Sequence, residues 1–303
     1  IILSYSCTKA TYIVKCIYMV KIEFNSDKNA CEVSKEFLKG KRHLTEEEIQ
    51  VLKDNKNSNL DESWNNFYVS DKPGEFDPSL IQFSIFSGFV VLGRLVKATL
   101  NYNDLHLCTG IINSKINDLV AGDDFVIHNV SYIDNYQIGN RVILFNISEL
   151  CCTKHSKFGN GILKEGEPEE HRIWIGVANE NDGRRILPFE EMIPADAYIW
   201  SHYRDDEELL QRFQDLTEYG NTKKLDTFGI IGDDCVIKNS NIIKDSKIGN
   251  CTYIKGAFKL KNITILSSNE ERSQVGEGVE MVNGILGYGS RIFYQAIGVR
   301  FVI

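Results

Sequence analysis

Short apolar units separated by Gly, Asn and Asp recur along the chain from about residue 81. The clearest run is Ile230, Val236, Ile242, Ile248, Ile254, Leu260 and Leu266, each six residues after the last. A helix repeats at about 3.6 residues and a simple strand at about 2. A period of six, with three units per turn, predicts a left-handed parallel β-helix. Each hexad supplies one short strand and one corner, and about 18 residues complete a triangular coil. The aliphatic at every sixth position points inward and stacks on its equivalent in the next coil. Gly, Asn and Asp serve the corners, which need left-handed backbone angles.

The chain also repeats itself. Residues 121–140 (AGDDFVIHNVSYIDNYQIGN) align without gaps on 231–250 (IGDDCVIKNSNIIKDSKIGN), and ten of the twenty positions are identical. In both copies the apolar-Gly starts are 17 residues apart, Ala121-Gly122 to Ile138-Gly139 and Ile231-Gly232 to Ile248-Gly249, one short of a full coil, so the same corner is expected to be shortened twice. Val275-Gly276 reads as a third start and Leu92-Gly93 as a weaker one.

Residues 151–228 interrupt this pattern. Arg172 to Val177 is expected to pair with Arg185 to Phe189 across a turn at Asn181-Asp182-Gly183. Pro194 suits the first position of a helix, with Ala197, Trp200 and Tyr203 on one face. Asp205 with Glu208 predicts a second cap. Leu209, Leu210, Phe213 and Leu216 form a stripe expected to pack on the solenoid, and Gly220 is the expected stop. Upstream, Thr45 and Glu48 form a capping box for a short helix carrying Ile49 and Leu52. Trp64, Phe67 and Tyr68 are expected core anchors, and Pro73-Gly74 and Asp77-Pro78 mark turns.

The fold class is therefore an all-β solenoid, a left-handed parallel β-helix with a short N-terminal helical segment and a hairpin-plus-helix insertion. The expected divisions are an atypical leader at 1–18, an N-terminal cap at 19–80, coils at 81–150, the insertion at 151–228 and further coils at 229–303. The start at Ile1 and the apolar end at Ile303 suggest a fragment of a longer protein. An uncapped coil end predicts an aggregation-prone fragment.

Composition narrows the function. Lys plus Arg number 34 against 42 Asp plus Glu, giving a charge of −8. That argues against nucleic acid, which selects a basic face. No 18-residue apolar stretch occurs, so no membrane span is expected. The eight Cys include no CxxC pair and read as reduced thiols of a cytoplasmic protein.

The hexad run resembles the trimeric hexapeptide-repeat superfamily, which includes sugar acyltransferases and gamma-class carbonic anhydrases. Several segments are similar to an uncharacterised bacterial β-helix family, a domain of unknown function: LTEEEIQVLKDN (44–55), FDPSLIQFSIFSGFVVLG (76–93), GDDFVIHNV (122–130), FGNGILKEGEPEE (158–170), ILPFEEMIPADAYIW (186–200), YRDDEELLQRF (203–213) and GYGSRIFYQAIGVRFVI (287–303). The likeness covers most of residues 44–303. Members of that family continue into further coils and a His- and Asn-rich segment, and they carry no agreed activity. The superfamily resemblance implies a homotrimer. It also suggests a transferase of the sugar-acyltransferase kind, with a coenzyme A thioester as donor and a sugar or nucleotide-sugar as acceptor.

Such a transferase needs a base beside a groove and backbone N–H groups for the oxyanion. His128, in VIHNV, is the first candidate and His106, in DLHLC, the second. The second copy carries Lys238 where the first has His128, so the coil itself does not require an imidazole there. No two of the six His lie within ten residues, so no zinc site is expected. The acidic run at 165–170 reads as a solvated loop, and Arg184-Arg185 as a hairpin-edge pair. No Gly-rich phosphate loop precedes the coils, which excludes a nucleotidyltransferase with a β-helix tail. The alternative to an enzyme is a scaffold that binds a partner protein through the 151–228 insertion.

Overall fold

A computed structural model describes residues 36–61, 63–177, 183–219 and 221–303. The leader and its boundary at Met19 lie outside the described residues, as does the Asn181-Asp182 turn. The described chain is mostly β, with eighteen strands joined in one sheet. That sheet is parallel except where Lys41–His43 runs antiparallel to Phe67–Ser70. Partners lie 17 residues apart along much of it: Val126 faces Ile143, Ile133 faces Leu150, and Ile231 faces Ile248. Parallel pairing reaches back to Ser58–Asn59, ahead of residue 81.

The strands fall into three ladders, each with a row of stacked apolar side chains. The first runs Ile81, Ile111, Ile127, Leu144, Ile237, Ile254, Val275 and Ile292. The second runs Phe86, Ile116, Ile133, Leu150, Ile243, Leu260 and Met281. The third runs Leu92, Ala121, Ile138, Ile231, Ile248, Ile265 and Leu286. All but Ile292 are buried in one core. Each full burial of such a side chain contributes about 1.5–3 kcal/mol.

This register corrects the strict six-residue phase. Core positions advance from Ile231 to Ile237, Ile243, Ile248, Ile254, Leu260 and Ile265, so the step from the second ladder to the third takes five residues. Val236 lies instead in an outer cluster with Val126 and Ile143. Ile230, Ile242 and Leu266 stand outside the main core. A six-residue template stays in phase for two corners and slips at the third.

Left-handed backbone angles recur at Asn and Asp positions along the ladders. Asp118, Asn135, Asp245 and Asn262 all take positive φ, between 46° and 56°. Amide side chains link successive corners, Asn113 to Asn129 at 3.0 Å and Asn146 to Asn239 at 2.9 Å. Gly122 packs so tightly that an added Cβ would lie 2.7 Å from the Gly139 carbonyl carbon. Val275 belongs to the first ladder, so Val275-Gly276 does not share this corner. Leu286-Gly287 takes that place.

Two excursions leave the ladders. Thr99–Tyr102 and Leu105–Cys108 form an antiparallel hairpin whose Leu100, Tyr102, Leu105 and Leu107 cover the outer face of the first ladder. The longer excursion separates Leu144 from its partner Ile237. In it, Ile175–Gly176 pairs antiparallel with Arg185–Ile186, the core of the expected hairpin.

The three α-helices among the described residues are α1 (Glu46–Asp54), α2 (Pro194–His202) and α3 (Glu207–Glu218). Thr45 and Glu48 close the expected capping box on α1. The N-cap of α3 is Asp206, one residue after the expected Asp205, because its carboxylate accepts the Leu209 N–H. Tyr203 caps the end of α2 and is exposed, away from the buried Trp200. The α3 stripe joins Trp200, Leu187, Phe189 and Met192 in one cluster within the excursion, against which Val302 of the last ladder strand also packs. Gly220 lies outside the described residues.

Candidate ligand cleft

Side chains flanking an inward row point out of the sheet. On the second ladder this places Asn117, Asp134, Cys151 and Lys244 on successive rungs. The long excursion departs beside this row at Cys152–Lys154 and returns at Asp226–Phe228. Asn135 clasps both roots, its Nδ2 donating to Cys152 O at 3.3 Å and Thr227 O at 3.2 Å. Together these segments enclose a cleft of 730 Å³, walled also by Phe89, Asp118, Tyr132 and Glu149.

Asn117 organises the polar floor. Its Nδ2 donates to Asp134 Oδ1 at 2.6 Å and to Asp118 Oδ2 at 3.1 Å. Its Oδ1 accepts the Ser87 hydroxyl at 3.0 Å, which fixes the amide orientation. Asp118 Oδ1 accepts the Phe89 N–H at 2.8 Å. Gly88 makes room for this carboxylate: an added Cβ would lie 2.9 Å from Asp118 Cγ, at a residue with φ of +68°. Burial raises the Asp118 pKa above its ordinary value, and the Asp134 carboxylate adds to the rise against the opposing Phe89 N–H.

Two cations meet two other carboxylates. Lys244 Nζ lies 3.9 Å from Glu149, and Lys154 Nζ lies 3.8 Å from Asp226. Lys115 Nζ sits 5.6 Å from the Tyr132 ring centroid. Burial, with the Asp134 carboxylate beside it, pushes the Tyr132 phenol to about 12. Cys151 donates its thiol to Glu149 Oε1 at 2.9 Å, and burial with that carboxylate pushes it to about 12. Burial pushes Cys152 up as well. At neutral pH neither sulfur is the thiolate a nucleophile requires.

The two sequence-predicted histidines lie elsewhere. His128 stands on the strand Val126–Val130 between Ile112 and Phe145, only 8% exposed. Its Nε2 has no hydrogen-bond partner, and burial lowers its pKa. His106 sits on the exposed hairpin, with Nδ1 2.6 Å from Asn101 Oδ1. Neither lines the cleft. The acidic run is not wholly solvated either: the Glu167 side chain is buried and pairs with Lys157 at 2.7 Å. Among the described residues no group of three His, Cys, Asp or Glu is assembled to hold a metal ion, and no helix is long and apolar enough to cross a membrane.

Asp118, Asp134, Tyr132 and Glu149 escaped the sequence reading. A signal was present: Asn117, Asp134 and Cys151 recur at a spacing of 17, the separation of paired strands, on a polar position. The sequence pattern of a domain of unknown function (DUF4954) matches residues 41–301. The chain belongs to the DUF4954 family. An uncharacterized protein of Treponema pallidum (strain Nichols) is 45% identical over 253 residues, which are 84% of this chain and 34% of that protein. The DUF4954 chain thus spans about a third of the length of this relative. No solved structure matches it.

Proposed function

We propose that this DUF4954 chain is a left-handed parallel β-helix of the hexapeptide-repeat kind, and that its cleft receives a small polyhydroxylated acceptor of the sugar class. The three stacked rows and positive-φ corners support the winding. The grouping of Asn117, Asp118 and Asp134 beneath Tyr132 carries the functional reading. Polar groups one rung apart, about 4.8 Å, can bridge neighbouring hydroxyls, while an aromatic wall packs the apolar face of a sugar ring. Saturation-transfer NMR with methyl glucoside tests this. Transfer to the ring protons that vanishes in Tyr132→Ala supports it; no transfer in the wild type removes it.

In this reading the chain is a cytoplasmic homotrimer and transfers an acyl group from a coenzyme A thioester. Calorimetry with acetyl-coenzyme A should give micromolar binding, about −8 kcal/mol. Absence of heat and of a thermal shift would remove that donor. The proton acceptor is Asp134, or His128 where a neighbouring protomer closes over the first ladder. Turnover by folded Asp134→Asn and His128→Ala variants separates the two.

A second reading, a scaffold binding a partner protein, draws on α2. Tyr198 and Tyr203 are both more than half exposed, and Tyr198 stacks on His202 with ring centroids 5.1 Å apart. Replacing both tyrosines by Ser should abolish capture of a partner without moving the thermal midpoint. Undiminished capture would sink this reading.

A further inference from the structure

We infer, resting on the cleft reading above, that the ligand of the cleft carries a cationic amine on its hydroxylated body. The charges lining the cleft do not balance: four carboxylates, Asp118, Asp134, Glu149 and Asp226, face two ammonium groups, Lys154 and Lys244. Both ammonium groups already have partners, Asp226 and Glu149. Asp118 and Asp134 are left without a cation within ion-pair distance among the described residues.

Their hydrogen bonds do not supply the missing charge. Asp118 accepts from the Phe89 N–H and from Asn117, and Asp134 accepts from the same Asn117 amide. These donors are neutral. They orient the oxygens but leave two carboxyl groups side by side in a partly buried site, where negative charge is costly until paired. A hydroxyl would add only another neutral donor. An ammonium group adds donors and the opposite charge together.

The walls suit the same ligand. Phe89, Tyr132 and Phe228 present aromatic surface beside the carboxylate pair. An aromatic face attracts an ammonium ion and packs the methylene or ring carbon that bears it. The ligand class is accordingly an amino sugar or a similar small amino-polyol.

The test is calorimetric titration of glucosamine, N-acetylglucosamine and methyl glucoside into the full chain at pH 6.5. Glucosamine should bind at least tenfold more tightly than either neutral sugar. That advantage should shrink in high salt, and in Asp134→Asn it should fall to within about twofold, with the thermal midpoint confirming the fold. The two neutral controls need no variant, so a misfolded variant does not block the comparison. Equal affinity for all three sugars overturns the amine inference and leaves the sugar cleft standing. No binding of any overturns both. An undiminished advantage in folded Asp134→Asn places the amine elsewhere and also overturns the inference.

Discussion

Tyr136 fills the side-chain space that Gly229, its partner on the next rung, leaves empty. A Cβ on Gly229 would lie 2.5 Å from Tyr136 Cε1. The phenol oxygen reaches past the glycine and accepts the Ser246 N–H at 3.2 Å. Tyr136 and Ser246 occupy equivalent positions of the two sequence copies, so one copy is hydrogen-bonded to the other through the gap. Phe301 leans over Gly284 in the same row.

Gly229→Ala should therefore destabilise the chain by about 3 kcal/mol, the upper range for overpacking a core. Tyr136→Phe should cost about 1–2 kcal/mol by stranding a buried N–H. Thermal and urea unfolding of both variants check this. A neutral Gly229→Ala would mean that the tyrosine has room to move.

His128 has apolar neighbours on both sides and an Nε2 without a partner. His128→Leu should stabilise the fold by about 1 kcal/mol at neutral pH. The folded pKa lies below the ordinary 6.5, so the unfolded chain binds the extra proton first. Stability from this site is thus present above pH 6.5. It declines as pH falls from there toward the folded pKa. Denaturant midpoints from pH 8 to pH 5 should show this loss in the wild type and less of it in His128→Leu.

Lys157 and Glu167 form a buried pair inside the long excursion, with side chains 6% and 7% exposed. Burial alone would raise the Glu167 pKa; the Lys157 ammonium and the Lys164 N–H outweigh it and hold the carboxyl low. Glu167→Gln should cost about 3–5 kcal/mol locally, since it leaves a buried ammonium unpaired. Hydrogen exchange should accelerate across 157–172 and stay slow at Ile237 and Ile254.

Cys151 and Cys152 should resist iodoacetamide at pH 7.5 in the folded chain and react promptly in urea, because burial keeps both thiols protonated. Rapid alkylation of either without unfolding would contradict their placement.

The inward rows were legible because side chains such as Ile248, Ile254 and Leu260 must all be apolar at nearly constant spacing. Leu266 was misplaced because one corner is a residue shorter than the others, and a period cannot show which corner that is. Thr45 and Glu48 were legible because a capping box is local. The cleft was not legible. Asp134 and Asp226 line one cleft only because the excursion starts and ends beside the same rungs, and nothing local to either residue records that. Nor could the sequence show that Ile112 and Phe145, which come from other rungs, bury His128.

The clasp made by Asn135 has an evolutionary corollary. One amide holds the carbonyls at both roots of the excursion, Cys152 and Thr227, side by side, and just beyond them Asn262 and Thr264 bind the segment 157–159 to the ladder. Closing a loop whose ends already touch costs about 0.6 kcal/mol for each doubling of its length. The seam at these two residues therefore tolerates a change in the length of chain between them. Length can vary beyond that bound segment while the rungs above and below keep their register, and the root residues Thr153, Lys154 and Asp226 stay in place as a wall of the cleft.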